Sequence, residues 1–234
     1  MRASLALTLA LVVFVGLSCE SARLSRASRP FNGNDLANWH TLPDPGTNRW
    51  IVGTPALSPT DPRMLIVADA RGDAMINLAR RHGDSQDIYS DEKYGDCRIE
   101  LEVMVPKNSN SGIYVMGEYE VQILDSWGRT ELNNGDMGAV YGAAPPPVNA
   151  CRPPGEWQKY VIDWRAPRFD ASGRKIANAM FEKIELNGVV LHRNLEMPGP
   201  TPGGITGREA PTGPLMFQGN HGPVAYRNIK ITPR

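Results

Sequence analysis

The chain is poor in the features that would commit it to several common functions. It carries no excess charge of either sign, with 25 Lys and Arg against 25 Asp and Glu and an isoelectric point near 6.9. That balance excludes the net positive face on which nucleic-acid affinity depends, so no nucleic-acid partner is expected. Cysteine is scarce, at three residues. Cys-x-x-Cys, His-Glu-x-x-His and Gly-x-Ser-x-Gly are all missing, which removes the common zinc, redox and serine-hydrolase motifs. No loop has the ligand spacing of a calcium site, so no metal or cofactor is expected. Beyond the N-terminus no apolar run is long enough to cross a bilayer. A helical repeat of three turns is also missing from the mature chain.

What is present is Gly and Pro, 23 and 20 residues, spread between short apolar runs. That is the composition of many short strands joined by tight turns. The N-terminus has Arg2, an apolar stretch from Leu5 to Leu17, and Cys19 directly after Gly16-Leu17-Ser18. It reads as a signal peptide over residues 1–19, either of the lipoprotein type with Cys19 as lipid anchor or of the plainly secreted type. Residues 20–30 read as a polar tether, and residues 31–234 as one domain. The protein is expected to be exported, to the periplasm, the cell surface or the medium, with the membrane as a partner only through Cys19. Cys97 and Cys151 then remain in an oxidising compartment, as separate half-buried thiols or as a bridge.

Strand follows strand from Phe31 onward. Trp50 to Val52, Met64 to Ala68, Ala74 to Leu78, Cys97 to Val105, Met137 to Gly142, Trp157 to Trp164, Met180 to Leu186 and Val189 to His192 are all of strand length. Asn187-Gly188 is the strongest hairpin turn, since both residues tolerate positive φ. GPLMFQGNHG and PVAYRNIKI read as a last hairpin. About a dozen strands over this length predict a jelly-roll sandwich of two antiparallel sheets.

The richest stretch runs from Asn108 to Trp127. In YEVQILD, Tyr119, Val121 and Ile123 fall on one face and Glu118, Glu120 and Gln122 on the other. The polar row is either the wet side of a half-buried sheet or a functional row. If Gly117 and Glu118 form a two-residue turn, Glu120 lies across from Val115; a bulge sets it beside Tyr114 or Met116. Glu118 and Glu120, about 7 Å apart by strand rise, are also a conceivable glycosidase pair, although EYEVQILD lacks the Glu-x-Asp-x-x-Glu pattern of laminarinase-like sandwiches.

FNGNDLANW, NSGIYVMGEYEVQILDS, GAVYG, NACRPPGEWQKYVIDWRAPRF, LNGV and PLMFQGNHGPVAYRNIKI together resemble the 3-keto-disaccharide hydrolase domain family, in order and over nearly the whole mature chain. The resemblance implies a concanavalin-A-like jelly roll and a hydrolase for a small-molecule carbohydrate whose C3 hydroxyl has been oxidised to a ketone. It departs at Met116, where many members carry an Arg that would grip a substrate oxygen. Glu120 and His221 are the candidates for proton transfer, Glu120 from its place on the polar row and His221 from the GNHG tip. Asp125, at the strand end, is either the third catalytic candidate, orienting a partner, or the cap of the turn before Trp127. Gln122, Tyr141, Tyr114 and Gln218 are candidate substrate contacts, and Trp127 a sugar-stacking platform. Arg227 is expected to pair with Glu102 and close the fold, and Trp157 to anchor a corner. A conventional glycoside hydrolase and a binding module without turnover are the alternatives.

Overall fold

A computed structural model describes residues 26–43 and 46–234. The signal peptide and Cys19 lie outside the described residues. The strands in chain order are β1 (Trp39–Leu42), β2 (Trp50–Leu57), β3 (Leu65–Asn77), β4 (Asp87–Tyr94), β5 (Cys97–Met104), β6 (Asn110–Val115) and β7 (Tyr119–Leu124). They continue as β8 (Gln158–Arg165), β9 (Arg168–Phe169), β10 (Lys175–Ala177), β11 (Ala179–Leu186), β12 (Val189–Met197), β13 (Gly213–Phe217) and β14 (Val224–Pro233). Two antiparallel sheets form the predicted sandwich. One has five strands in the order β1-β4-β13-β6-β7, the other seven in the order β12-β11-β8-β5-β14-β3-β2.

Alternation builds the core between them. On β7, Tyr119, Val121 and Ile123 are fully buried, and they meet Tyr160, Ile162 and Trp164 of β8 in one apolar cluster. Aromatic rings tie the layers together. Phe217 of β13 stacks on Tyr226 of β14 with centroids 3.8 Å apart, and Tyr119 packs on Trp164 at 4.6 Å. Offset ring pairs of this kind contribute beyond the area they bury.

Several expectations are corrected. The two short runs around Leu65 and Ala74 are one long β3, because β2 pairs along its whole length and absorbs the interruption as bulges near Gly53 and Thr54. Gly72 permits this: a Cβ there would lie 1.9 Å from the backbone of Gly53. The terminal hairpin does not form. β13 pairs with β4 and β6, whereas β14 pairs with β3 and β5, so residues 218–223 pass from one sheet to the other. Met137 to Gly142 forms no full strand but joins β7 by an isolated bridge from Val140 to Val121.

Other readings hold. Asn187 and Gly188 take φ values of 53° and 85° and form the β11–β12 turn. Arg227 bonds Glu102 at 2.7 Å and lies 4.0 Å over the Trp157 ring. Cys97 and Cys151 are separate buried thiols. Ser28 exchanges backbone hydrogen bonds with Ile231 at 2.7 and 2.9 Å, so the sandwich reaches back into the stretch read as tether.

Candidate active site

The β6–β7 hairpin carries the site. Its register places Tyr114 opposite Glu120 and Gly112 opposite Gln122, because the turn spends three residues, Met116 to Glu118, rather than two. Met116 and Gly117 both adopt positive φ, 55° and 72°. The cost of that conformation at Met116 is offset by burial, with its sulfur accepting the Trp164 indole N–H at 3.1 Å. Met116 is therefore a packing residue and does not line the hollow described next.

Strand alternation sends Asn110, Gly112 and Tyr114 of β6, and Glu120 and Gln122 of β7, to the face turned away from the core. That face is not wet. Glu120 is 2% exposed and Gln122 is 4%, because the loop after β12 and the segment ending at Tyr141 fold over it. Between them lies a hollow of about 230 Å³, lined by Asn110, Tyr114, Glu120, Gln122 and Tyr141 together with Pro202, Gly203, Gln218 and His221.

The lid is tied down by the other acid of the row. Glu118 accepts hydrogen bonds from Thr206 N and Oγ1 at 2.8 and 2.7 Å and from Gly207 N at 2.9 Å. Thr201 Oγ1 takes the Glu120 backbone N–H at 2.9 Å. Glu118 thus spends its carboxylate on two loop amides and the Thr206 hydroxyl, and faces a separate cleft with Met116, Tyr119 and Ile205. It is unavailable as the partner of Glu120, and the glycosidase pair read from EYE is not assembled.

Inside the hollow the polar side chains form two hydrogen-bonded groups, one around Tyr114 and one between Gln122 and Asn110. Tyr114 donates its hydroxyl proton to Glu120 Oε2 at 2.8 Å and lies 3.4 Å from Gln218 Nε2. Gln122 Nε2 donates to Asn110 Oδ1 at 2.9 Å, which leaves the second amide hydrogen of Gln122 and the Asn110 amide group free to donate. Glu120 is pushed up to about 7, first by burial and then by the nearby Asp87 carboxylate, against the opposing pull of the Tyr114 hydrogen bond. Gly112 makes room for it: a Cβ there would sit 2.3 Å from Glu120 Oε1.

His221 sits on the passage between the sheets. Its Nδ1 faces the Asn220 side-chain oxygen, so with the amide oriented this way Nδ1 carries the proton and Nε2 keeps its lone pair. Burial, and then the neighbouring His82, hold its pKa below the ordinary value; the two rings meet edge to face at 4.4 Å. The passage is itself anchored. Asn77 Nδ2 bonds the carbonyls of Gly219 and Gly222, and Asp87 Oδ1 accepts from Gly219 N at 2.8 Å and Asn220 N at 3.3 Å.

Two candidates are not brought in. Asp125 caps a turn, accepting from Asn108 N at 3.0 Å and Trp127 N at 3.3 Å. Trp127 is 56% exposed and does not line the hollow. A short polar residue at a strand end is a turn cap as readily as a catalyst, and Asp125 takes that use. Conversely, sequence reasoning missed Asn110 and Asp87. Asn110 was legible by extending the two-residue alternation back from Tyr114; Asp87 begins a strand whose polar run, DIYSDEKY, gave no strand signal.

The comparisons agree with this architecture. No curated protein matches the chain. Among solved structures, a candidate glycosyl hydrolase from Parabacteroides distasonis superposes with a TM-score of 0.68 at 28% identity, covering 89% of this chain and 84% of that one. Two further candidate glycosyl hydrolases from the same organism give TM-scores of 0.60 and 0.55 at 18% and 19% identity. They cover 89% and 90% of this chain and 94% and 100% of theirs, and share its fold. The model of the 3-keto-alpha-glucoside-1,2-lyase-like domain matches residues 27–232, and the chain therefore belongs to that glycosyl-hydrolase-like family.

Proposed function

We propose that the protein cleaves glycosides whose sugar carries a ketone at C3, by elimination across C1 and C2 followed by hydration. The observation that carries this reading is a buried carboxylate with a pKa of about 7, sharing a hollow with a histidine whose pKa is depressed. A C3 ketone acidifies the C2 proton, so the reaction needs no second carboxylate. It needs a group able to take that proton in one half-reaction and return it in the next, and a pKa near the working pH serves both tasks.

The steps balance without an added reagent. Glu120 takes the proton from C2, the electrons of that bond form the enolate, and the C1–O bond breaks as the leaving oxygen takes a proton from Nε2 of His221 in its imidazolium form, which returns the ring to the neutral Nδ1–H tautomer. Water then adds to C1, giving its proton to His221, while Glu120 returns a proton to C2. The net change is hydrolysis. Amide hydrogens of Asn110 and Gln122 are the donors for the enolate oxygen, and Tyr114 holds Glu120 in place. The productive form has Glu120 ionised and His221 protonated, one proton between the pair, so kcat/KM is expected to be bell-shaped, falling on the alkaline side, above about pH 7, as the pair loses that proton and on the acid side as it takes a second.

The test is a panel of 3-keto and unmodified disaccharides incubated in D2O. The expected result is cleavage of the 3-keto compounds alone, with deuterium at C2 of the released sugar above the enzyme-free level. Glu120→Gln should lower kcat by about a thousandfold or more. Cleavage of unmodified disaccharides with C2 left protonated would overturn the reading in favour of direct displacement. Binding without turnover would make the domain a carbohydrate-binding module.

A further inference from the structure

Beside the hollow lies a second cavity of about 270 Å³, and the two share the His221 imidazole. The chain at the start of β6 runs along both, with Asn108 and Ser109 on the second cavity and Asn110 on the first. The second cavity is rimmed by cations: Arg63, Arg80, Arg81 and Lys107. Arg63 is neutralised by Asp61, two oxygens at 2.9 Å. The other three have no ion pair and no side-chain hydrogen bond among the described residues. The carboxylates around them are already engaged: Asp84 by Arg49 at 2.7 Å, and Asp125 by the amides of Asn108 and Trp127. In a chain of zero net charge, three exposed cations without an ion pair, of which Arg81 alone feels the nearby Asp84 carboxylate, line a cavity that shares His221 with the reaction centre.

We propose that this cavity is the subsite for the leaving half of the substrate, and that it selects a leaving half bearing an anionic oxygen group, either a uronic acid carboxylate or a sugar phosphate. The proposal rests on the functional reading above for the word leaving, and on the cavity alone for the anion. Cleavage between the two cavities would put the scissile bond beside His221. A converging set of cations raises the local concentration of an anion and holds it by charge-assisted hydrogen bonds, an effect that salt screens over about 10 Å at 0.1 M.

Two measurements separate the proposal from the reaction it rests on. First, glucose, glucuronic acid and glucose 6-phosphate are titrated into the mature protein and followed by calorimetry. Both anions should bind about tenfold or more tightly than glucose at low salt, with the margin shrinking severalfold at 0.2 M salt. The tighter of the two identifies carboxylate or phosphate. The exposed double variant Arg80→Gln/Lys107→Gln should erase the margin. Second, kcat/KM is compared for 3-keto-glucosyl disaccharides ending in glucose and in glucuronic acid; the acidic one is expected to lead by about tenfold. Equal binding of the three sugars, or a margin indifferent to salt and to the double variant, overturns the anionic subsite. Anion binding without cleavage of any 3-keto compound leaves the subsite standing and removes the reaction.

Discussion

At the scale of single residues, Glu120 ties stability to acidity. Its carboxyl titrates near 7 in the fold against 4.5 in the open chain. The folded form thus holds the proton more tightly, and the stability this contributes is complete below pH 4.5 and lost as pH rises through 7. Glu120→Gln abolishes that titration. Thermal melts of variant and wild type should diverge in the variant's favour as pH rises from 4.5 through 7, by about 3 kcal/mol once pH 8 is reached; a pH-independent difference would mean that Glu120 is not ionising in a buried site. Gly112 gives a second residue-level test. Its φ is unremarkable, so Gly112→Ala should fold, yet the added methyl must displace the carboxylate lying 2.3 Å away. Activity is expected to fall about a hundredfold with little change in Tm. Glu120 and Gln122 were legible in the sequence because strand alternation separates them from Tyr119, Val121 and Ile123. Their burial was not, because what covers them, Pro202 and Gly203, comes from a loop some eighty residues downstream with no periodicity to read.

At the scale of elements, the site is a hairpin under a lid, and Glu118 is the clasp. Its carboxylate takes three hydrogen bonds from Thr206 and Gly207, while Ile205 N and Thr201 N bond the carbonyls of Gly117 and Glu118. Glu118→Gln keeps the volume but removes the charge that strengthens those bonds and one of the acceptors. The expected outcome is a KM raised by about tenfold, faster proteolysis within residues 198–212, and a much smaller effect on kcat than Glu120→Gln produces. An equal loss of kcat in both variants would return Glu118 to the chemistry. Elements bounded by clear punctuation were the legible ones: Pro106 ends the run before β6, and Asn187-Gly188 turns β11 into β12. The fusion of β3 and the separation of β13 from β14 were hidden. Pairing across sheets is decided by partners far away in sequence, and GNHG has the composition of a tight turn although it spans the two layers.

At the scale of the whole molecule, regular short strands and abundant Gly and Pro pointed to the two-sheet sandwich, since stacked antiparallel sheets bury alternating segments without helices. The order of strands within each sheet was not available, because alternation states which face is apolar and says nothing of which strand lies alongside. The layers are joined by the Trp39, Phe217, Tyr226 and Trp50 ring series, with Trp39 on Phe217 at 5.5 Å and Trp50 on Tyr226 at 6.3 Å. Phe217→Ala opens the middle of that series and is expected to cost about 3–5 kcal/mol in chemical denaturation; a cost below 1 kcal/mol would mean the layers are held elsewhere.

The crossing from β13 to β14 has one further consequence. His221 travels on the thread that stitches the layers, so the imidazole and Glu120 keep their relative position only while the seam is shut. Gentle warming or dilute urea that lets one layer creep over the other should silence turnover before any spectroscopic sign of melting, and cooling should restore it. The catalyst is in this sense its own strain gauge.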